Sequence, residues 1–392
     1  MRVVIMLPLL LSVLFGVFQF PEGASAWSGA VDTSWYRASA AQKEYTITRP
    51  EQLAGLAKLV NGGNSFKGKT IRLAKNIDLA NRRWTSIGGG KQELWEDFRH
   101  PFSGTFDGGG RVITGLRIDF PFGCQGLFGY SNGRIVNLAV NARIVVDGSD
   151  HPSTRAWVGA IIGVNEGIVE KCSANSSIIS RGKVIAAGGI AGENSGRVTD
   201  CTFTGSVEGD GAVTLRADED ESSPPEGTSI YESALGGVVG LNAGVVERCV
   251  FVGSVAAAIA EYYYGGTTVG GVVGLNDTKA SVVGCSSRGE FKGTGKDTND
   301  IGGVAGRNYG LIVRCNSTGK IHAEKAGAVG GIAGATYPAS RIEDSTSNSV
   351  IIFRNPPLWY GGLVGFHRGS VVNSTWMQSP NVDLRPTGGG GK

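Results

Sequence analysis

The sequence predicts an all-β solenoid, and three observations support this fold class. Glycine makes up 63 of the 392 residues, about twice its usual share in globular proteins. One glycine-rich pattern recurs eight times, with 28 to 48 residues between successive copies. Each copy ends in a short run in which apolar and polar residues alternate, and this is the period of a β-strand. A stack of short-stranded coils accounts for all three observations.

The repeat has fixed positions that suit a coil. Its clearest copy covers residues 236–249 and reads Gly-Gly-Val-Val-Gly-Leu-Asn-Ala-Gly-Val-Val-Glu-Arg-Cys. A helix is disfavoured because each glycine inside it costs about 1 kcal/mol, whereas a glycine pair suits a corner between strands. The fifth position is glycine in all eight copies, and we expect it to allow close approach of two backbones. The other copies open at Gln125, Gly159, Gly188, Gly270, Gly302, Gly330 and Gly361.

Two further positions predict ladders of side chains along the stack. Asparagine stands at the same place in five successive copies, where its amides can hydrogen-bond from coil to coil. Five of the six cysteines form a second column, with Leu138 before them and Ser345 and Ser374 after them. We expect free, inward-facing thiols, because five cysteines do not pair evenly and no CxxC motif indicates zinc. The columns are Asn165, Asn194, Asn242, Asn276 and Asn308, and Cys172, Cys201, Cys249, Cys285 and Cys315.

The amino-terminal region is predicted to supply a leader and a cap. Residues 1–26 combine a basic start, an apolar run and an Ala-Ser-Ala site, which is typical of a secretory signal peptide; a membrane anchor is the alternative. Residues 27–65 are expected to form a strand at 45–48 and a helix with a capping box between Thr48 and Glu51. The helix is expected to cover the open end of the solenoid. Its buried face is predicted to be Leu53, Leu56, Ala57 and Val60.

The remaining boundaries follow from the repeat. We expect the solenoid over residues 66–378, with an insertion at 207–235 and a flexible glycine-rich tail at 379–392. Before the first repeat, we predict opening coils with strands at 70–73, 102–106 and 112–118. The Asp-Gly-Gly-Gly sequence at 107–110 is predicted to form a turn between two of these strands.

The copies resemble the GLUG repeat, a family named for a Gly-Leu-any-Gly signature that residues 362–365 match as Gly-Leu-Val-Gly. Residues 27–36, 51–57 and 102–108 are similar to the leader that precedes such repeats in secreted bacterial surface proteins. The resemblance implies a right-handed, single-stranded parallel β-helix of the pectin-lyase-like kind. It also implies an exported protein, as in adhesins and the non-catalytic regions of IgA1-protease-type metallopeptidases, without implying one activity.

Composition and motifs exclude several functions. The formal net charge is only +3, which does not provide the positive surface that nucleic-acid binding needs. None of the four histidines belongs to an H-E-x-x-H motif, so a metallopeptidase site is not expected. We therefore predict a non-catalytic protein. The alternative is a polysaccharide lyase or glycoside hydrolase with paired carboxylates on one lateral face, for which the candidates are Glu170, Asp200 and Glu247; these residues also fit a solvated face.

Binding is predicted on the segments just before each Gly-Gly pair, which vary most and which the register aligns into one lateral ridge. Exposed aromatic side chains there suit contacts with sugars or proteins, and stacking between coils is the alternative for the tyrosines. The acidic insertion is predicted to be either a solvated loop or a calcium-ordered loop. The binding candidates are Trp157, Tyr262, Tyr263, Tyr264, Trp359 and Tyr360, and the calcium candidates are Asp218, Glu219, Asp220 and Glu221.

These observations together predict a recognition or adhesion scaffold that is secreted or held at the cell surface. Its expected partner is a glycan or a surface protein of a host or neighbouring cell. We expect no nucleic-acid partner, no cofactor other than calcium, and no membrane-spanning segment once the signal peptide is removed.

Overall fold

Parallel strands stacked in register build the molecule. The computed structural model describes residues 26–37, 41–89, 100–149, 155–182, 184–209, 233–258, 266–294, 299–324, 326–377 and 385–388. The strands form three sheets, which we call sheet 1 with 19 strands and sheets 2 and 3 with eight strands each. The described pairings between strands are parallel. The predicted parallel β-solenoid is therefore confirmed.

One coil passes through the sheets in a fixed order. The coil that begins at residue 233 places Ser233–Gly236 in sheet 2, Val239–Asn242 in sheet 3, and Val245–Glu247 and Val250–Ala258 in sheet 1. The strands of sheet 2 are Gly123–Gln125, Ala156–Gly159, Val184–Gly188, Ser233–Gly236, Thr267–Gly270, Asp300–Gly302, Ala328–Gly330 and Trp359–Gly361. The strands of sheet 3 are Phe128–Ser131, Ile162–Asn165, Ala191–Asn194, Val239–Asn242, Val273–Asn276, Ala305–Asn308, Ala333–Thr336 and Val364–His367.

Sheet 1 begins with the opening coils and continues with two strands from each repeat. The opening strands are Glu44–Ile47, Thr70–Leu73, Ile77–Asp78, Thr105–Ile118 and Arg134–Asp147. The first strands of the repeats are Ile168–Glu170, Arg197–Thr199, Val245–Glu247, Ser281–Val283, Leu311–Val313, Arg341–Glu343 and Ser370–Val372. The second strands are Ser173–Arg181, Thr202–Gly209, Val250–Ala258, Ser286–Thr294, Asn316–Glu324, Thr346–Ile352 and Thr375–Trp376.

A residue in the left-handed conformation turns the chain between the two strands of sheet 1. This residue has a φ between 46° and 61° in eight successive coils, a conformation that costs a residue with a side chain about 1–2 kcal/mol. The cysteine column follows it directly, so the turn aims the thiols into the core. The eight residues are Asn137, Lys171, Asp200, Arg248, Gly284, Arg314, Asp344 and Asn373.

The two predicted ladders are confirmed. Each asparagine Nδ2 from Asn165 to Asn276 donates to Oδ1 of the next asparagine at 2.7–2.9 Å. The five column cysteines are buried and free, and each Sγ lies 3.5–3.7 Å from a carbonyl oxygen of the preceding coil. Hydrogen bonds with the neighbouring thiols of Cys172 and Cys249 raise the pKa of Cys201, and burial raises it further. The Cys201 thiol therefore stays protonated inside the core.

The fifth glycine of the repeat also acts as predicted. A Cβ on Gly240 would lie 2.7 Å from the amide nitrogen of Ala187 in sheet 2. Sheets 2 and 3 consequently meet backbone to backbone at their shared corner, and their outer side chains come close together there. Aliphatic and aromatic residues fill the core, and within the repeats Phe203, Phe251 and Phe291 follow one another with ring centroids 6.0 and 6.1 Å apart.

The amino-terminal helix spans Pro50–Asn61 and buries the predicted face, including Leu53, Leu56 and Val60, in the same core. Its predicted capping box is wrong, because the N-cap residue is Arg49 and the helix has no side-chain cap hydrogen bond. Gln52, rather than Glu51, accepts hydrogen bonds from the amide and hydroxyl of Thr48, at 2.8 and 3.1 Å. A second, single-turn helix covers Ser34–Arg37, and no helix in the described ranges is long and apolar enough to cross a membrane.

Two other segments differ from their predictions. Residues 107–110 form a bulge inside the strand Thr105–Ile118 instead of a turn, because the register with Arg134–Asp147 shifts there while pairing continues on both sides. Within the predicted flexible tail, residues 385–388 lie against the last coil. The Gly362 amide donates to the Arg385 carbonyl at 2.7 Å, and Val364 pairs with Thr387. These residues cover part of the open carboxyl end of the stack.

Candidate functional site

The structure aligns two of the predicted binding residues without bringing them together. Trp157 and Trp359 occupy the same register column of sheet 2, which runs Trp157, Ala186, Ala234, Thr268, Asp300, Ala328, Trp359. Six strand spacings separate the two indoles, which corresponds to about 29 Å. This column therefore holds tryptophans at its two ends, with small or polar residues at the five positions between them.

The other predicted site residues fall into two groups. Tyr360 belongs to the neighbouring column of sheet 2, packs against the core, and has its ring centroid 5.2 Å from that of Phe353. The candidates Tyr262, Tyr263, Tyr264, Asp218, Glu219, Asp220 and Glu221 lie outside the described residues. Within the described ranges, no group of three His, Cys, Asp or Glu side chains could hold a metal ion.

Four aromatic side chains meet near the carboxyl end of the stack, where Trp359 comes from sheet 2, Phe366 from sheet 3, and two tyrosines from the turns between sheets 3 and 1. The Trp359 ring contacts Phe366 edge-on at a centroid distance of 5.4 Å, and Phe366 lies 6.0 Å from Tyr337. Tyr337 is stacked on Tyr309, with centroids 4.3 Å apart and planes 11° from parallel. All four are half-buried. We call Tyr309, Tyr337, Trp359 and Phe366, together with Arg368, the aromatic platform.

The asparagine ladder positions this platform. Tyr309 and Tyr337 each follow a ladder position, and their amides donate to the Asn276 and Asn308 carbonyls of the preceding coils at 2.8 and 3.2 Å. Because the ladder side chains point inward, the residue after each of them is placed on the outer surface, at the turn from sheet 3 to sheet 1. Stacked coils then bring the two tyrosine rings into register.

Positive charge accompanies the rings. The guanidinium of the exposed Arg368 lies 5.0 Å from the centroid of Phe366, within cation–π range. Two coils earlier, Arg307 and Asp300 form an ion pair whose side chains are only 13% and 8% exposed. Burial lowers the pKa of the adjacent His367, whose Nδ1 contacts the Thr336 hydroxyl at 3.1 Å. Arg368 is thus the solvent-facing charge of the platform.

A second cluster of side chains lies near the amino end of sheets 2 and 3. The Tyr130 hydroxyl donates to Glu166 at 2.5 Å, and Glu193 accepts hydrogen bonds from Trp157 and Ser195. Burial raises the pKa of Glu193, against the effect of these hydrogen bonds and with the help of the Glu166 charge. Burial and the bond to Glu166 raise the pKa of Tyr130. Trp157 therefore serves as a partner of a partly buried acid.

This raised pKa predicts a pH-dependent stability. Above the ordinary Glu pKa, the folded protein resists ionisation of Glu193, so stability is lost as pH rises through the folded pKa. We expect Glu193→Gln to raise the midpoint of thermal unfolding at pH 7 and to leave it unchanged at pH 3.5.

The opposite pH dependence is expected for Asp200, because hydrogen bonds from Arg248 lower the pKa of this carboxyl. Asp200→Asn should therefore have a lower unfolding midpoint than the wild type at pH 7, and the difference should shrink as pH falls. If each variant changed the midpoint of thermal unfolding by the same amount at both pH values, the pKa directions given for Glu193 and Asp200 would be contradicted.

The carboxylates considered for catalysis are engaged in ion pairs on sheet 1. Glu170 pairs with Arg134 and Glu247 pairs with Arg197, both at 3.1 Å. Asp200 receives two hydrogen bonds from Arg248 at 2.7 and 2.8 Å. Each pair joins neighbouring coils, with arginine side chains more than half exposed. The arrangement corresponds to a solvated, charge-paired face.

Sequence reasoning missed Tyr309, Tyr337 and Phe366. A signal was present, because the two tyrosines occupy the position after the ladder residue in successive copies, where earlier copies carry Ala243 and Asp277. Phe366 had no comparable signal, because its contact with Trp359 crosses from sheet 3 to sheet 2.

Comparisons with known proteins agree with this architecture. A family model described as the GLUG motif matches residues 184–208, which confirms the resemblance for that copy. Halomucin from Haloquadratum walsbyi (strain DSM 16790 / HBSQ001) is 26% identical over 157 residues, 38% of this chain and 2% of halomucin. The crystal structure of a candidate immunoglobulin A1 protease from Bacteroides ovatus superimposes with a TM-score of 0.52 at 16% identity, covering 85% of this chain and 84% of that one. This likeness concerns the fold alone.

Proposed function

We propose that this protein is an exported, non-catalytic recognition scaffold that binds a glycan through the aromatic platform. The carrying observation is the continuous contact of four half-buried rings beside an exposed guanidinium. Aromatic rings provide large contact area with little loss of conformational entropy, and Trp, Tyr and Arg dominate binding energy at recognition surfaces. The platform presents Trp, Tyr and Arg side chains close together on the outer surface of the solenoid.

The fold supports the proposal by holding the rings rigidly. Tyr309 and Tyr337 are fixed to the buried ladder by backbone hydrogen bonds, and Trp359 lies in a strand paired with Ala328–Gly330. Preorganised side chains lose less entropy on binding than mobile ones. Leu358, which is 44% exposed, extends the apolar area beside Trp359.

The similarity to halomucin and the GLUG match support a location at the cell surface or outside the cell. We propose the same location for this chain, with residues 1–26 as the signal peptide. The proposed partner is a glycan of a host or neighbouring cell, and the predicted calcium site at residues 218–221 remains a prediction.

Replacing Trp359 with alanine tests the platform directly. We expect the full chain to bind a subset of glycans on an array, and Trp359→Ala to weaken that binding about tenfold or more, the loss typical of a central aromatic contact. Dissociation constants from calorimetry with the best array glycan provide the measurement.

The matched control is Trp376→Ala, which removes a partly buried tryptophan of sheet 1 from the same carboxyl end. Both variants should first show the circular dichroism spectrum of the wild type. Trp376→Ala should then bind the glycan with wild-type affinity. Undiminished binding by Trp359→Ala, or turnover of the bound glycan, would refute the proposal of a non-catalytic platform.

A further inference from the structure

A polar groove crosses the outer face of sheet 1, apart from the aromatic platform. Its volume is about 690 Å³. It follows a register column in which Ser176 is succeeded by Gly205 and Gly253, so that two consecutive strands carry no side chain along its floor. The polar side chains that line it are Asn81, Asn141, Arg143, Asn175, Ser176, Ser177, Ser206 and Ser254.

The side chains on one border of the groove form a straight row. Arg143, Ser177, Ser206 and Ser254 are partners in register on four consecutive strands, and three strand spacings give this row a length of about 14 Å. Asn141 and Asn175 are register partners on the other border. A chain-like ligand parallel to the solenoid axis would meet hydroxyls on one side and amides on the other.

The charge at one end of this row is available to a ligand. Arg143 is exposed and has no carboxylate partner among the described residues, whereas its register neighbour Arg117 pairs with Asp119 at 2.8 Å. An unpaired guanidinium beside hydroxyl and amide groups matches a carboxylate attached to a hydroxyl-rich molecule.

We propose that this groove binds an oligosaccharide that carries carboxylates, such as an oligouronate of about three sugars. Arg143 pairs with a carboxylate, and the Asn141, Asn175 and Ser206 side chains hydrogen-bond the sugar hydroxyls. The inference does not depend on the aromatic platform, because no residue is shared between the two surfaces. It assigns to sheet 1 a charge-selective site and leaves the platform as a separate one.

The test uses trigalacturonate and its fully methyl-esterified form, which differ in charge but not in length. We expect the full chain to bind trigalacturonate, and to bind the ester at least about tenfold more weakly, because a hydrogen bond to a charged group is lost. Arg143→Gln should reduce the affinity for trigalacturonate by a similar factor without affecting the ester. Ser206→Trp should abolish binding of both by filling the groove.

Two controls separate this site from folding defects and from the platform. Thr202→Trp places the same bulky side chain at an exposed position of the same strand, outside the groove, and should bind like wild type. Trp359→Ala should also keep trigalacturonate affinity. The inference would be overturned if the chain did not bind trigalacturonate, or if it bound the acid and the ester equally. It would also be overturned if Trp359→Ala lost affinity for trigalacturonate and Arg143→Gln did not.

Discussion

Gly253→Ala is expected to abolish cooperative folding of the solenoid. A Cβ on Gly253, whose φ is 152°, would lie 1.8 Å from the carbonyl oxygen of Gly205 in the preceding coil. The neighbouring atom is backbone that itself takes part in sheet pairing, so it cannot move without breaking the strand register. The expected loss exceeds about 4 kcal/mol, the range that marks severe backbone or packing defects. Soluble yield and urea-induced unfolding followed by circular dichroism provide the measurement.

Gly284→Ala is the matched control for this prediction. Gly284 also has a positive φ, of 61°, but the nearest atom to its added Cβ is Arg248 Cγ at 3.8 Å. Its column carries non-glycine residues in the same conformation in seven other coils. We expect a loss of only about 1–2 kcal/mol, the cost of the left-handed conformation itself. If both variants unfold at the same urea concentration, close packing between coils is not what requires glycine at 253.

Asn242→Ala is expected to have the second-largest effect. The Asn242 amide donates to Asn276 at 2.9 Å and accepts from Asn194 at 2.8 Å and from the Gly244 amide at 3.2 Å. Alanine leaves these partners buried without their hydrogen bonds, at about 1–3 kcal/mol for each unsatisfied group. We therefore expect the free energy of unfolding to fall by about 3–5 kcal/mol, measured by urea unfolding.

A double-mutant cycle distinguishes a ladder from independent amides. Asn242 and Asn276 are direct neighbours, so the double variant should cost less than the sum of the single variants by about 1–3 kcal/mol. Asn165 and Asn276 are three coils apart, and their effects should add. Additive effects for the neighbouring pair would mean that the amides do not stabilise one another along the stack.

The interior of the fold was accessible from the sequence, whereas the surface was accessible only in part. The asparagine and cysteine columns could be predicted because a residue at one place in a repeat must lie beside the same place in the next coil. The capping box was predicted wrongly, with Thr48 as the N-cap in place of Arg49, because the spacing of Thr48 and Glu51 does not fix the residue at which the helical backbone begins. Trp359 was recognised as a candidate, but its ring partner Phe366, and Tyr337 beyond it, were not.

The sequence by itself determined the coil period, the strand character of the repeat and the side chains that point inward. This was possible because stacked parallel strands place equivalent positions about 4.8 Å apart whatever the shape of the coil. Only the tertiary structure decided which outer side chains meet. The contacts of Trp359 with Phe366, and the groove beside Gly205 and Gly253, depend on the angle between sheets and on the bend within a strand. Sequence spacing carries no measure of either quantity.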